Sequence, residues 1–297
     1  MIKKNISIIG VPMDFGQLHR GVDMGPAALR YTKLVTSLRE LGHTVDDLGD
    51  IEVPVRDPGE DEKGKVYTRE IARICEDIYH AGRKAVAEDR FPLFLGGDHS
   101  IAMGTAGGVS HDANTGLLWI DAHGDFNTPE TSPSGNIHGM PLAALTGEGD
   151  ERLVNIGRPG AKIAPENVVI IGIRSLDKKE KERLKKSGIT VFTMRDIDEQ
   201  GISSVVNKAM MKFVHLKRLH MSLDMDALEP EEAPGVGTPV PGGLSYREAH
   251  VVMEIISDTG KLTSLDLVEI NPILDQGNKT AMLAVELVVS ALGKSIL

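Results

Sequence analysis

The chain has 297 residues, of which 41% are hydrophobic, with a formal net charge of −10 and one cysteine, Cys75. This length and apolar content are enough to bury a large core, and a single cysteine excludes an internal disulfide. The acidic balance disfavours nucleic acid as a partner, because phosphates need clustered Lys and Arg. We therefore expect one domain, spanning residues 1–297, that binds no nucleic acid.

Short β-branched and leucine-rich runs alternate with helical patterns along the whole chain. The segment Met1–Pro12 predicts a first strand, because its apolar run is too short for a signal peptide. Pro26 near the start and Gly42 just past the end bracket the first predicted helix. The predicted strands are Ile6–Val11, Thr44–Leu48, Phe91–Leu95, Gly116–Asp121, Val168–Ile173, Thr190–Thr193, Arg218–Asp224 and Thr263–Glu269. The predicted helices are Pro26–Leu41, Thr68–Ala87, Asp177–Ser187, Asp196–Val214, Tyr246–Ser257 and Lys279–Leu292.

The order of these elements indicates how the strands pair. Strand then helix, repeated, predicts parallel strands joined by helical crossovers. A closed barrel and an open sheet covered by helices on both faces both fit, and both gather active-site residues at the carboxyl ends of the strands. The most apolar late segment, Ala281–Leu292, is short and interrupted by Glu286. We therefore expect no membrane span and a cytoplasmic protein.

Three strand ends carry residues of the kinds that bind metal ions. In an extended chain alternate residues point to one side, so ligand-type residues at alternate positions are expected to converge. The residues concerned are Asp98 and His99 at the first strand end, Asp121, His123 and Asp125 at the second, and Asp224 and Asp226 at the third.

This concentration of carboxylates needs counter-charge, because neighbouring carboxylates repel one another. Any one of the three segments alone is better explained by turn or capping residues. Together they favour two divalent cations over a structural acidic cluster. Mixed carboxylate and imidazole ligation is typical of manganese, with cobalt, iron and zinc as substitutes. We predict two Mn²⁺ ions sharing aspartate ligands, with a metal-bridging hydroxide as the nucleophile.

The order of these motifs resembles that of the ureohydrolases, a family that hydrolyses guanidino and related groups with two manganese ions. The resemblance covers nearly the whole chain. It implies a three-layer α/β/α fold with a mainly parallel eight-stranded sheet, the arginase/deacetylase-like architecture, over the closed barrel. The matching segments are Gly10–Asp14, Gly96–Ser100, Asp121–Asp125, Ser222–Pro230, Ala233–Gly243 and Glu269–Pro272.

The resemblance also implies how the two ions are held, with Asp121 and Asp224 bridging them. One ion would be bound by His99, Asp121, Asp125 and Asp224, and the other by Asp121, His123, Asp224 and Asp226. The chain departs from the usual family pattern at Gly124, Ala227 and Glu229. None of these three is a ligand, so we expect the metal ligation to be unchanged.

Within that family the chain is most similar to the arginases, which convert L-arginine to L-ornithine and urea. The resemblance implies that one set of residues contacts the substrate's α-carboxylate, that Asp177 reads its α-amino group, and that Glu180 lies nearby. Another ureohydrolase, such as an agmatinase or guanidinobutyrase, is the alternative, and a metal- or arginine-binding protein without turnover is a more distant one. Family members commonly form trimers or hexamers, so we expect a homo-oligomer. The carboxylate-contacting residues are Asn127, Ser132, Ser134 and Asn136.

Four further interpretations concern the chemistry. His138 lies in a glycine-rich loop and is the candidate for protonating the departing amine, since histidine titrates near neutrality. Asp125 is expected to accept a hydrogen bond from the nucleophile. Glu269 ends an apolar strand, where it would be costly to bury unpaired, and is expected to bind the guanidinium. Thr238 is either a substrate contact or an ordinary turn residue.

Overall fold

The computed structural model describes residues 2–56 and 67–295. Within these ranges the chain forms one eight-stranded sheet in which every pair of neighbours is parallel. All eight strand predictions are confirmed, three with identical ends and the others with ends within two residues of those predicted. The strands are β1 (Asn5–Val11), β2 (Thr44–Asp50), β3 (Phe91–Gly96), β4 (Thr115–Ile120), β5 (Val168–Ile173), β6 (Thr190–Thr193), β7 (Arg218–Asp224) and β8 (Leu262–Val268).

The helices agree less well with the sequence patterns. The helix predicted over Pro26–Leu41 is two helices separated by residues 31–33, and the one predicted over Asp196–Val214 is broken at Gly201. Gly201 has φ 78° and ψ 145°, a conformation outside a helix. The described helices are α1 (Gly25–Arg30), α2 (Leu34–Glu40), α3 (Thr68–Ala87), α4 (Ala102–Val109), α5 (Pro141–Leu145), α6 (Glu151–Val154), α7 (Lys178–Ser187), α8 (Met194–Gln200), α9 (Ile202–Lys212), α10 (Tyr246–Thr259) and α11 (Lys279–Ala291).

Helix α4 was not predicted, and its composition explains why. All eight of its residues are buried, so it lacks the polar face that marks an amphipathic helix. Its glycines allow close packing on α3: a Cβ atom at Gly104 or Gly108 would collide with the backbone of Cys75 or Tyr79. A helix packed on all sides carries no periodic signal in sequence.

Two apolar layers enclose the sheet, one on each face. In β1, Ile6 and Ile8 join a core with residues of α1, α2, α9, α10 and α11. Ile9 and Val11 of the same strand join a second core with α3. Because successive side chains of a strand point to opposite faces, this division confirms the predicted open sheet between two helical layers.

The order of the strands decides where the chemistry lies. From one edge to the other it is β2-β1-β3-β8-β7-β4-β5-β6. The four central strands are neighbours, and their carboxyl ends lie along one edge because all are parallel. His99 follows β3, Glu269 follows β8, Asp224 ends β7 and Asp121 follows β4. In the described ranges, every helix is too short or too polar to cross a membrane.

Candidate metal centre

The first candidate group of ligands surrounds His99. Its Nδ1 atom lies 3.2 Å from Asp121 Oδ2, 3.0 Å from Asp125 Oδ2 and 3.1 Å from Asp224 Oδ2. The ring is 1% exposed, and this nitrogen makes no hydrogen bond within the part of the chain that the structure describes. A buried imidazole nitrogen facing three carboxylates suits a cation at their centre.

The second group surrounds His123. Its Nδ1 atom lies 3.0 Å from Asp226 Oδ2 and 3.6 Å from Asp121 Oδ1. Asp121 therefore presents one carboxylate oxygen to each imidazole, as a bridging ligand would. Asp224 presents Oδ2 to His99, while its Oδ1 accepts a hydrogen bond from the backbone N–H of Asp226.

The local reason for this convergence differs from the alternation expected of an extended chain. Residues 121–125 form a loop in which Asp125 has φ 47°, and Asp226 lies in a one-turn 3₁₀ helix, Met225–Ala227. In both segments the first aspartate accepts the N–H two residues on: Asp121 from His123 at 2.6 Å and Asp224 from Asp226 at 2.8 Å. These turns bring the ligands together, so the predicted grouping is present although the extended-chain argument was wrong.

The electrostatics of the cluster call for added positive charge. Burial, followed by repulsion from Asp226 and Asp121, raises the pKa of Asp224 well above its ordinary value. Burial and the charge of Asp121 likewise raise the pKa of Asp125 to about 6. Burial would also raise the pKa of Asp121, but hydrogen bonds with His123 and His99 lower it. Carboxylates that repel in this way are the oxygen donors that divalent cations stabilise.

Trp119 supports the first group from behind and was not predicted to do so. Its ring stacks on that of His99, with centroids 4.0 Å apart and an interplanar angle of 9°. Its Nε1 donates a hydrogen bond of 2.9 Å to Asp121 Oδ2. The ring is fully buried, so Trp119 is a core residue that also holds the His99 ring in place.

A cavity of about 260 Å³ opens beside the two groups. It is lined by both candidate ligands and polar residues of the following loop, so a small polar molecule would reach the cluster from this side. Among the predicted site residues, His99, Asp121 and Glu269 are not part of this lining. Those that line it are His123, Asp125, Asn127, Ser132, Ser134, Asn136, His138, Asp177, Glu180, Asp224, Asp226 and Thr238.

The loop that forms the mouth of the cavity is held by its own hydrogen bonds. Asn127 Nδ2 donates to Asp177 Oδ2 at 3.0 Å, and its Oδ1 accepts from the hydroxyl of Thr131 at 3.0 Å. The Ser132 and Ser134 hydroxyls lie 3.4 Å apart. Thr131 was not singled out in the sequence, because a threonine in a polar loop carries no distinguishing pattern.

Glu180 ties this loop to the start of α7. Its carboxylate accepts hydrogen bonds from the backbone N–H groups of Phe126, at 2.9 Å, and Asp177, at 3.2 Å. The second bond belongs to a capping box in which Asp177 is the N-cap. Burial raises the pKa of Glu180 to about 7. These contacts place Glu180 in the wall of the cavity, and its predicted position near the substrate's amine stays a prediction.

Glu269 is paired within the protein. It is 1% exposed and has φ 62°, a left-handed conformation that is strained for a side chain of this size. One oxygen accepts from the His99 N–H at 2.8 Å and lies 3.0 Å from His138 Nδ1, and the other accepts from Gln17 Nε2 at 2.7 Å. His138 and Gln17 are thus its side-chain partners within the described residues, and the contact with a guanidinium stays a prediction.

The same contacts determine the charge of His138. Burial alone would lower its pKa, but the charge of Glu269 and the hydrogen bond to it raise the pKa to about 9.

Thr238 donates from its hydroxyl to Asp226 Oδ2 at 3.1 Å and also lines the cavity. Glu229, a departure from the family pattern, accepts the N–H groups of Gly242 and Gly243, each at 2.8 Å, and so stabilises that turn.

An open parallel α/β sheet with two imidazole–carboxylate groups sharing Asp121 at its carboxyl edge is the arrangement of a hydrolase with a binuclear metal centre. The comparisons with known proteins are more specific. A family model described as "Arginase family" matches residues 4–293. The chain belongs to the arginase family.

Related sequences and solved structures match this chain over nearly its full length. The arginase of Bacillus subtilis strain 168 is 53% identical over 295 residues, which is 99% of each chain. The structure of the Bacillus caldovelox arginase has a TM-score of 0.95 at 48% identity, covering 99% of this chain and all of that one. The Entamoeba histolytica arginase, solved in complex with L-ornithine, has a TM-score of 0.90 at 32% identity, with 99% and 100% covered.

Proposed function

We propose that the chain catalyses hydrolysis of L-arginine to L-ornithine and urea, with two Mn²⁺ ions per subunit. The observation that carries the proposal is the geometry of Asp121, which offers one oxygen to the His99 group and the other to the His123 group beside a polar cavity. The arginase identity of relatives about half identical over the whole chain supports the choice of reaction.

The ions would be held by the six residues of the two groups. His99, Asp121, Asp125 and Asp224 would hold one ion. Asp121, His123 and Asp226 would hold the other, with Asp224 as the further shared ligand that the resemblance to the family implies. When bound, two divalent cations would lower the pKa of water enough to supply hydroxide as the nucleophile near neutral pH. Asp125 lines the cavity, where its carboxylate can accept a hydrogen bond from the nucleophile.

His138 would deliver the proton that the departing amine needs. Its pairing with Glu269 raises its pKa and so favours the protonated form, and its ring lines the cavity. Glu269 holds the Nδ1 side of the ring, so it orients the imidazole and stabilises the imidazolium. We propose that Glu269 attracts the substrate's guanidinium by its negative charge, and that it acts on the reaction chiefly by orienting His138.

Substrate choice would be made at the mouth of the cavity. Asn127, Ser132, Ser134 and Asn136 offer neutral hydrogen-bond donors to an α-carboxylate. Asp177 there carries a charge suited to an α-ammonium group, and Asn127 already donates to it. Agmatine lacks the carboxylate, so it would leave these donors unmatched. Guanidinobutyrate lacks the α-amino group and would leave Asp177 unmatched, so this arrangement favours L-arginine over both.

We propose further that the whole chain, residues 1–297, acts as one domain, in the cytoplasm, as a homo-oligomer that is a trimer or hexamer. The experiment that tests the function measures urea release from L-arginine, agmatine and guanidinobutyrate, together with manganese content and, by light scattering, subunit number. Efficient urea release from L-arginine alone, with two ions per subunit, is the expected result. Equal kcat/KM values for arginine and agmatine would contradict the substrate assignment while leaving the two-metal centre in place.

A further inference from the structure

A line of buried polar side chains runs from His99 away from the cavity and into the sheet. His99 Nε2 lies 2.8 Å from the hydroxyl of Ser222, which donates to Asp266 Oδ1 at 2.5 Å. The other oxygen of Asp266 lies 2.9 Å from His220 Nε2. Two further hydroxyls join this line, that of Thr105 at Asp266 and that of Ser264 at His220. We call the five residues the Asp266 network; its members are Ser222, Asp266, His220, Thr105 and Ser264.

The network lies entirely inside the protein. Its five members have no exposed surface, and they come from β7, β8 and α4. A buried carboxylate at the centre of a sheet costs free energy that an apolar side chain of the same volume would not. Its presence is explained if the charge acts on another group, and the group that it reaches through Ser222 is the ring of His99.

The hydrogen atoms can be ordered in one way from Asp266 outward. An ionised carboxylate only accepts, so His220 Nε2, the Thr105 hydroxyl and the Ser222 hydroxyl must all donate to it. Ser222 has then used its single proton, and its oxygen can only accept from His99 Nε2. His99 therefore carries a hydrogen on Nε2. In its neutral form the lone pair is on Nδ1, the atom that faces Asp121, Asp125 and Asp224.

We propose that Asp266 is a positioning residue that acts through Ser222 to hold His99 in the tautomer and orientation needed to bind the first metal ion. The inference rests on the proposed metal centre. Hydrogen bonding from the far nitrogen of a ligating imidazole to a carboxylate fixes the ring and raises its basicity. Here one hydroxyl is interposed, which places the carboxylate too deep in the sheet to become a ligand itself.

The effect is expected at one ion and not at the other. The side chain of His123 is 27% exposed, and in the described ranges its recorded side-chain partners are Asp121 and Asp226. The ring of His99, by contrast, is enclosed between Trp119 and the Asp266 network. Loss of the network should therefore weaken the ion at His99 selectively.

Asp266→Asn and Ser222→Ala test this directly. An asparagine at 266 can direct its NH₂ group at Ser222, which then has no acceptor for its hydroxyl proton except His99 Nε2. If Ser222 donated to Nε2, the hydrogen of the neutral His99 ring would have to lie on Nδ1, where it would block metal ligation. We expect stepwise Mn²⁺ titration of either variant to show one ion bound about 10–100-fold more weakly, and the other unchanged. Half-maximal activity should need correspondingly more Mn²⁺, while KM for L-arginine at saturating Mn²⁺ stays the same.

Thr115→Val is the matched control. Thr115 is also buried, at the start of β4, but among the described residues its hydroxyl bonds only to the Ala113 carbonyl. It should lose stability without changing either Mn²⁺ affinity. The double variant Ser222→Ala with Asp266→Asn should weaken binding no more than the worse single one, because both interrupt the same chain of bonds.

The outcomes separate the inference from the function on which it rests. If the unmodified protein fails to bind two ions, the metal centre is wrong. If it binds two ions and a folded Asp266→Asn protein binds both with unchanged affinities, the network has no positioning role. An additive double variant, or equal weakening of both ions, would also overturn it. Should Asp266→Asn fail to fold, Ser222→Ala, which removes only one hydroxyl, decides the question by the same titration.

Discussion

Gln17 donates a hydrogen bond of 2.7 Å to Glu269, although 252 positions separate them in the chain. The amide oxygen of Gln17 is buried and makes no hydrogen bond to any described residue. Gln17 is thus committed to the carboxylate that also pairs with His138. The position of the His138 imidazole therefore depends on a glutamine from the loop after β1.

Replacing Gln17 should disturb that pair without touching the metal ligands. Gln17→Met keeps the volume but removes a donor to a buried charge, which costs about 1.5–3 kcal/mol, less the relief of the unpaired amide oxygen. Gln17→Glu should be worse, because it places a second negative charge against Glu269. We expect unfolding free energy and kcat to fall in that order, with metal content unchanged. A Gln17→Glu protein as stable and active as the parent would show that the contact is unimportant.

Asp121 faces both imidazoles, so Asp121→Asn should weaken both ions together. Asp226→Asn provides the comparison, because of the two imidazoles Asp226 contacts that of His123 and not that of His99. It should weaken mainly one ion. Stepwise Mn²⁺ titration distinguishes the two patterns. Wild-type affinity for both ions in the Asp121→Asn protein would mean that the bridging assignment is wrong.

His138→Ala should lose turnover while keeping both ions. General acid–base groups typically contribute about 10²–10⁴-fold to rate, and His138 belongs to neither imidazole–carboxylate group. Added imidazole should restore part of the rate, because it can enter the space left in the cavity wall. Loss of bound manganese in this variant would instead place His138 among the ligands.

The His138–Glu269 pair also predicts a pH dependence of the metal-free protein. The pKa of His138 is raised to about 9, above its ordinary value of 6.5. A raised histidine pKa stabilises the fold fully below the ordinary value, and this contribution is lost as pH rises through about 9. Glu269→Gln should return the pKa towards 6.5, measured by NMR titration of the ring. A histidine that already titrates near 6.5 in the unmodified protein would contradict the pairing.

Asn127→Ala and Ser134→Ala should narrow the preference for arginine over agmatine. Each removes a donor at the cavity mouth that agmatine cannot use, so arginine should lose more. A hydrogen bond to a charged group contributes about 1.5–3 kcal/mol when fully desolvated, and the change in the ratio of kcat/KM values measures it. Thr115→Val again serves as the control. An equal loss for both substrates would show that these residues do not read the carboxylate.

The sheet could be predicted from sequence because most strands are short β-branched or leucine-rich runs with their own boundary signals, although in β2 only Val45 is buried. Helix α4 could not, because burial on every side removes the periodicity by which helices are recognised. The break at Gly201 is a related case. A glycine within a helical pattern is usually tolerated, and only the observed backbone conformation shows that it divides α8 from α9.

The candidate ligands could be found because they directly follow strands that parallel pairing brings to one edge. Gln17 and Asp266 could not, since neither lies in a ligand-like spacing and both act through partners distant in sequence. Trp119 could be predicted only in part. It precedes Asp121 by two residues on β4, but its stacking on His99 requires β3 and β4 to be assembled in the same sheet.

That assembly ties the ions to folding itself. The proposed ligands span residues 99 to 226. They meet only after β3, β8, β7 and β4, which are distant in the chain as a set, have paired in that order. A chain that has not formed this sheet offers the ions no complete site, so their binding free energy belongs to the native state alone. Every tenfold rise in free ion concentration above Kd then adds about 1.4 kcal/mol per site to the unfolding free energy. Manganese supply would thereby govern how long the protein survives proteolysis as well as how fast it works.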